Sequence, residues 1–119
     1  MEKLTPQEEE VMQAVWLAGE NNVKGLIEYM PEPRPPYTTV ASTVKNLEKK
    51  HFVSSRLIGN NYQYKPLISE ETYKQKLMQG FARNYFNNSY TEMVNFFIEQ
   101  KKLKPAELQE LVRMIEEKK

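Results

Sequence analysis

The sequence predicts a mainly α-helical fold with one small β-hairpin, and three observations carry that expectation. Apolar residues recur at helical spacing in successive segments of the 119-residue chain. Two boxes of the form Thr/Ser-x-x-Glu, Thr5-Pro6-Gln7-Glu8 and Ser89-Tyr90-Thr91-Glu92, stand directly ahead of such segments. In these boxes a hydroxyl and a carboxylate satisfy each other's backbone donors at a helix start. One pair of β-forming runs is interrupted by Gly59-Asn60-Asn61, residues that tolerate the positive φ of a hairpin turn.

The elements follow in order. Thr5 caps the first helix, and Pro6 takes the first helical position, where no donor is lost. Val11, Met12, Val15 and Trp16 then mark its buried face, and Gly19 ends it. A short second helix buries Val23, Leu26, Ile27 and Met30. Pro31, Pro33, Pro35 and Pro36 stop it and hold an extended connection, because residues before proline avoid the α region. A third helix runs from near Tyr37 to about Lys50, with Val40, Val44 and Leu47 on one side. Its other side carries Thr38, Ser42, Lys45 and Lys49 in one line at i, i+4, i+7 and i+11. Short hydroxyls toward the N-terminus permit close approach to a duplex, and lysines toward the C-terminus reach phosphates.

Phe52 to Ile58 and Tyr62-Gln63-Tyr64 form the arms of the hairpin. Three helices followed by a hairpin with Arg56 and Lys65 on its arms is the order of a winged helix-turn-helix. The third helix then enters the major groove, and the hairpin, with Asn60 and Asn61 at its tip, lies on the backbone. After Pro66 the pattern is helical alone. Ser69-Glu70-Glu71 opens a helix with the stripe Tyr73, Leu77, Phe81 and Tyr85. Ser89 opens another, with Met93, Val94, Phe96, Phe97 and Ile98. Pro105 starts a last one, with Leu108, Leu111, Val112 and Ile115 and with Lys118 and Lys119 at its negative end. The division expected is residues 1–67 as a winged-helix domain and 68–119 as a helical region. So many apolar residues on short helices predict self-association through Tyr73, Leu77, Phe81, Met93, Phe97, Leu108, Leu111 and Ile115.

Composition narrows the chemistry. There is no Cys and no Asp, and His51 is the single histidine, which rules out disulfides, thiolate metal sites and a Ser-His-Asp triad. The four glycines are too scattered for a phosphate-cradling loop. A carboxylate pair such as Glu70 and Glu71 sits where helix-start acids are expected anyway. The chain is therefore expected not to be an enzyme, to hold no metal and no cofactor, and to stay out of the membrane in the cytoplasm. Net charge is only +1, but residues 36–65 carry 5 basic side chains against Glu48 alone, whereas residues 1–35 carry 3 against 7 Glu. A basic central third can be the footprint of a nucleic-acid partner, although on charge alone a solvated charged face accounts for it better.

Several stretches together resemble the penicillinase-repressor family of bacterial transcriptional regulators (BlaI/MecI type). They are Leu4 to Met12 with Trp16, Pro36-Tyr37-Thr38-Thr39-Val40, Leu47-Glu48-Lys49-Lys50, Tyr62 to Leu67, and Leu103 to Leu108 with Met114-Ile115. The resemblance implies a homodimeric repressor bound to an inverted-repeat operator of double-stranded DNA, associated with the bacterial nucleoid. It places base-reading positions on Thr38, Thr39, Ala41 and Ser42. Ala41 departs from the long polar side chain common in relatives, and His51 from their glycine at the helix end. Copper sensing through cysteine pairs, known in some relatives, is closed to a chain without Cys. In antibiotic-responsive members a membrane-anchored sensor metalloprotease system leads to cleavage at an Asn-Phe bond, and Val94-Asn95-Phe96-Phe97 is similar to that site. The competing reading is a winged-helix protein–protein module that never touches DNA; such an adaptor would expose apolar anchors on its third helix.

Overall fold

The computed structural model describes residues 3–100 together with 104, 106, 107, 109, 110 and 113. The chain runs through α1 (Pro6–Ala18), α2 (Val23–Ile27), α3 (Tyr37–Lys49), β1 (Val53–Ile58), β2 (Asn61–Pro66), α4 (Glu70–Tyr85) and α5 (Tyr90–Glu99). The mainly helical class with one hairpin is as expected. Positions 106, 107, 109, 110 and 113 are helical. Pro105, Leu108, Leu111, Val112, Ile115, Lys118 and Lys119, expected in the last helix, lie outside the described residues. The chain divides into two compact units, residues 1–76 and 77–119.

The first unit starts from the predicted capping box. Glu8 N donates to Thr5 Oγ1 at 3.1 Å, and Thr5 N donates to Glu8 Oε1 at 2.8 Å. The same carboxylate oxygen accepts from Lys50 Nζ at 2.7 Å, and Lys50 also donates to the Lys3 carbonyl at 3.1 Å. The start of α1 is thereby tied to the end of α3. Burial alone would push the Glu8 carboxyl up. The hydrogen bonds from Lys50 and Thr5 and the Lys50 charge outweigh it and hold the carboxyl below its ordinary value of 4.5.

Val11, Met12, Ala14 and Val15 of α1 pack with Val23 and Leu26 of α2 and with Val40, Val44 and Leu47 of α3, all buried. Phe52, Val53 and Tyr64 bring the root of the hairpin onto this core. β1 and β2 are antiparallel, in register from Val53 opposite Pro66 to Ile58 opposite Asn61. Asn61 is thus the first residue of β2, and the turn is Gly59-Asn60 alone. Gly59 has φ 62°, the conformation a tight hairpin turn asks for at its first position. Asn21 adds a short third arm by exchanging backbone hydrogen bonds with Tyr64 at 2.8 and 3.0 Å.

α3 ends in a Schellman turn: His51 N donates to the Glu48 carbonyl at 3.0 Å and Phe52 N to the Leu47 carbonyl at 2.9 Å. The residue between must be left-handed, and His51 has φ 66°. Of the two ways a non-glycine could end this helix, the chain takes the strained one, held by the burial of Leu47 and Phe52 on either side.

The first unit extends beyond the hairpin, whose end the sequence-based division at 67/68 marks. Trp16 Nε1 donates to the Ile68 carbonyl at 2.9 Å. The Tyr73 ring lies 5.5 Å from that of Trp16 and 5.9 Å, edge-on, from that of Phe52. The first turns of α4 are therefore part of the same core.

In the second unit the rest of α4 turns into α5 through Asn87 and Asn88, both left-handed at φ 50° and 64°. Ala82 carbonyl accepts from Phe86 N and Asn88 N at 3.0 and 2.8 Å, and Ser89 Oγ caps α5 by accepting from Glu92 N at 3.1 Å.

Two outcomes are expected. Replacing His51 with Gly removes the left-handed strain and stabilises the chain by about 1 kcal/mol, raising Tm by roughly 5 °C in a thermal melt; a lowered Tm would contradict the strain. Because the native Glu8 carboxyl is depressed, its stabilisation is present above pH 4.5 and is lost as pH falls through the lower native value. Glu8→Gln is therefore less stable than the parent at pH 7, and denaturant titrations should show the gap closing toward pH 3.

Candidate nucleic-acid interface

The outward surface of α3 follows from its inward one. Val40, Val44 and Leu47 have no exposed surface, so at 100° per residue the opposite line must face solvent. Thr38, Ser42, Lys45 and Lys49 are all exposed, and Thr39 and Ala41 are half-buried beside them. The hydroxyls of Ser42 and Thr43 both donate to the Thr39 carbonyl, at 3.0 and 2.7 Å. Thr43 is buried. Ser42 is exposed with its proton occupied, so it faces outward as an acceptor. Pro36 caps α3 without a side-chain bond, its carbonyl accepting from Thr39 N and Val40 N at 3.1 and 3.2 Å. The first turn of the helix presents only Tyr37, Thr38 and Thr39, and the Ala41 methyl adds little bulk.

The basic residues of the central segment divide into two groups. Lys50 is spent on Glu8 and the Lys3 carbonyl. Arg56, on the exposed part of β1, makes a two-pronged ion pair with Glu20 from the α1–α2 connection, with Nε–Oε2 at 2.8 Å and Nη2–Oε1 at 2.6 Å. Lys45 and Lys49 form no ion pair among the described residues. Alternation along the hairpin puts Lys65 on the same face as Arg56, diagonally across the strands. The Arg56 hydrogen bond, helped by the charges of Arg56 and Lys65, outweighs desolvation and holds the Glu20 carboxyl below its ordinary value. The same bond pushes Arg56 up. Glu48, the one acid of the segment, is half-buried and accepts from Ser55 Oγ at 2.5 Å at the root of the hairpin. Residues 49–69 contain no acid at all. At the tip, Asn60 and Asn61 are exposed, together with Leu57, Ile58 and Tyr62.

Glu20 did not figure among the expected site residues. It lies 36 positions from Arg56 in a connection with no motif, and only the folded chain brings the two together.

The helical positions expected at a dimer seam separate as well. Tyr73 is buried within its own chain by Trp16 and Phe52, and burial, with the Glu9 carboxylate nearby, pushes its hydroxyl up to about 12. Met93 is also covered, and Leu77 is half-buried. Phe81 and Phe97 stay 41% and 42% exposed, and Tyr85 is 72% exposed. Leu108, Leu111 and Ile115 lie outside the described residues. Asn95 and Phe96 are exposed in the middle of α5, with the Phe96 ring 5.7 Å from that of Phe86. Among the described residues no group of side chains is placed to hold a metal ion, and no helix is long and apolar enough to cross a membrane.

Residues 4–117 match the family described as Penicillinase repressor. The chain belongs to the penicillinase repressor family. Over 119 residues it is 25% identical to the methicillin resistance regulatory protein MecI of Staphylococcus epidermidis, covering 98% of this chain and 95% of that one. It is also 25% identical to the penicillinase repressor of Bacillus licheniformis, over 98% of this chain and 92% of that one. Among solved structures, that of Bordetella bronchiseptica BpsR, a protein whose DNA binding is regulated by 6-hydroxynicotinic acid, superposes with a TM-score of 0.52. It covers 98% of this chain and 76% of that one at 15% identity. That likeness concerns the fold, which in this family member is the winged helix-turn-helix the element order predicted.

Proposed function

We propose that this family member is a transcriptional repressor that binds an inverted-repeat operator as a homodimer, with α3 in the major groove and the β1–β2 hairpin along the backbone. The observation that carries the reading is the outward line of α3, two short hydroxyls followed by two lysines that form no ion pair among the described residues. Its small N-terminal side chains allow the helix to sit deep, and Ser42, as an acceptor, suits the amino groups of adenine or cytosine. Thr39 and the Ala41 methyl complete the reading positions, the methyl suiting a thymine methyl. Lys45, Lys49 and Lys65 are the phosphate contacts. The same face counts against an adaptor module, since it offers no aliphatic anchor to a protein partner.

The dimer is held by the second unit, where Phe81, Tyr85 and Phe97 remain exposed in the single chain. Two winged helices related by a two-fold axis read half-sites roughly 34–36 Å apart. Release occurs by cleavage at Asn95–Phe96 by a protease system that senses a cell-wall antibiotic at the membrane. Helical hydrogen bonding at α5 requires local opening before attack.

Three measurements check this. Six phosphate-directed lysines per dimer predict a slope of about −5 for log affinity against log salt, read by fluorescence anisotropy on the chain's own upstream region. Lys49→Ala weakens all duplexes alike, and Thr39→Ala changes the ranking among operator variants; if neither alters binding, the reading fails. Sedimentation of the full chain should show a dimer at micromolar concentration, shifted toward monomer by Phe81→Ser. Intact-mass analysis in the native cell should show fragments ending at Asn95 after antibiotic exposure; derepression with the chain whole would refute the release step.

A further inference from the structure

The Glu20–Arg56 pair stands on the hairpin, which the proposed function lays along the DNA backbone, where an added carboxylate opposes a polyanion. Glu20 takes Nε and Nη2 along one edge of the Arg56 guanidinium in the two-pronged geometry that guanidinium otherwise offers to phosphate. Lys65 shares that face of the hairpin and adds its charge to the same carboxylate. We propose that Glu20 acts as an internal stand-in for a DNA phosphate, occupying Arg56 and cancelling its charge so that the hairpin contacts the duplex through Lys65 alone.

This rests on the DNA-binding reading and adds to it a residue that limits the strength of non-specific binding. An exposed ion pair contributes little net stability, so its function is sought in what it does to the surface charge. Counterion release counts phosphates neutralised by the protein. An arginine that carries its own carboxylate into the complex brings no net charge to the backbone. Two such pairs per dimer remove two charges from an interface otherwise supplied by six lysines. Affinity that comes from phosphates alone carries no sequence information. Masking Arg56 therefore lowers binding to every duplex and leaves a larger share of the total to the base-reading positions of α3.

The test compares the full chain with Glu20→Gln, Arg56→Ala, the double variant, and Lys49→Ala. Each is titrated by fluorescence anisotropy against the upstream-region duplex and an unrelated duplex across a salt series, after a thermal melt confirms folding. Glu20→Gln should bind both duplexes several-fold more tightly and steepen the salt slope from about −5 to about −7. The unrelated duplex should gain at least as much as the upstream one. The double variant, which lacks both charges and so matches the cancelled pair, should keep the parent slope, whereas Arg56→Ala alone leaves the Glu20 carboxylate unpaired and should bind more weakly than the double variant. The proposal is overturned if Glu20→Gln binds equally or more weakly, or if the double variant flattens the slope as Lys49→Ala does, since Arg56 would then reach phosphate despite Glu20. In those cases a loss of binding in Lys49→Ala shows that the DNA reading itself still stands. A parent chain with no salt-dependent duplex binding overturns both.

Discussion

Val40, Val44 and Leu47 have no exposed surface, and they lie against Val11, Met12 and Val15 of α1, which are equally buried. Each such side chain contributes about 1.5–3 kcal/mol on burial, so the seam fixes the roll of α3 about its axis far more firmly than any surface contact could. Turning the helix by one residue would force Ala41, Lys45 or Glu48 inward and expose the valines. Everything proposed for the outward face depends on this seam. The remaining ties secure its two ends: the Glu8 carboxylate joins the start of α1 to Lys50, and the left-handed His51 turns the chain from α3 into β1. The hairpin is thus held to α3 at a fixed geometry rather than left as a loop.

Charge is then distributed by partner rather than by count. Of the basic residues between Pro36 and Lys65, Lys50 and Arg56 are engaged by carboxylates from the acidic first third, Glu8 and Glu20. Seven Glu give residues 1–35 their negative balance, and folding places two of them against cations of the central segment. What is left for a polyanion is Lys45 and Lys49 on α3 and Lys65 on the hairpin. The formal net charge of +1 conceals this, because it counts paired and unpaired groups alike. A family in which sequence must be distinguished from backbone gains from such restraint, since every unpaired cation strengthens binding to the wrong duplex as much as to the right one.

Local rules proved sufficient where the determining partners lie within one turn or one hairpin. The Thr5 box, the apolar face of α3 and the Gly59 turn were all legible, each depending on neighbours in sequence, whereas α2 ends at Ile27, ahead of Met30 and of the prolines expected to stop it. Interactions spanning the chain were not. Glu20 and Arg56 meet only because Asn21 pairs with Tyr64 and carries the α1–α2 connection alongside β2. Tyr73 belongs to an apolar stripe, and helical periodicity reports that a face is buried without saying by which chain; Trp16 and Phe52 claim it from within. His51 was readable as an anomaly at a helix end, but whether the helix would strain or unwind was decided by the burial of Leu47 and Phe52.

The central claim is that the face of α3 opposite the Val40–Val44–Leu47 seam lies against DNA. The chain has no cysteine, so Ser42→Cys introduces a unique thiol at the middle of that face. Its alkylation rate can be followed by mass spectrometry in the free protein and in complex with the upstream-region duplex at saturating concentration. Strong protection on binding, reversed by high salt, is the predicted result. An alkylation rate unchanged in the saturated complex would place α3 away from the duplex and contradict the claim.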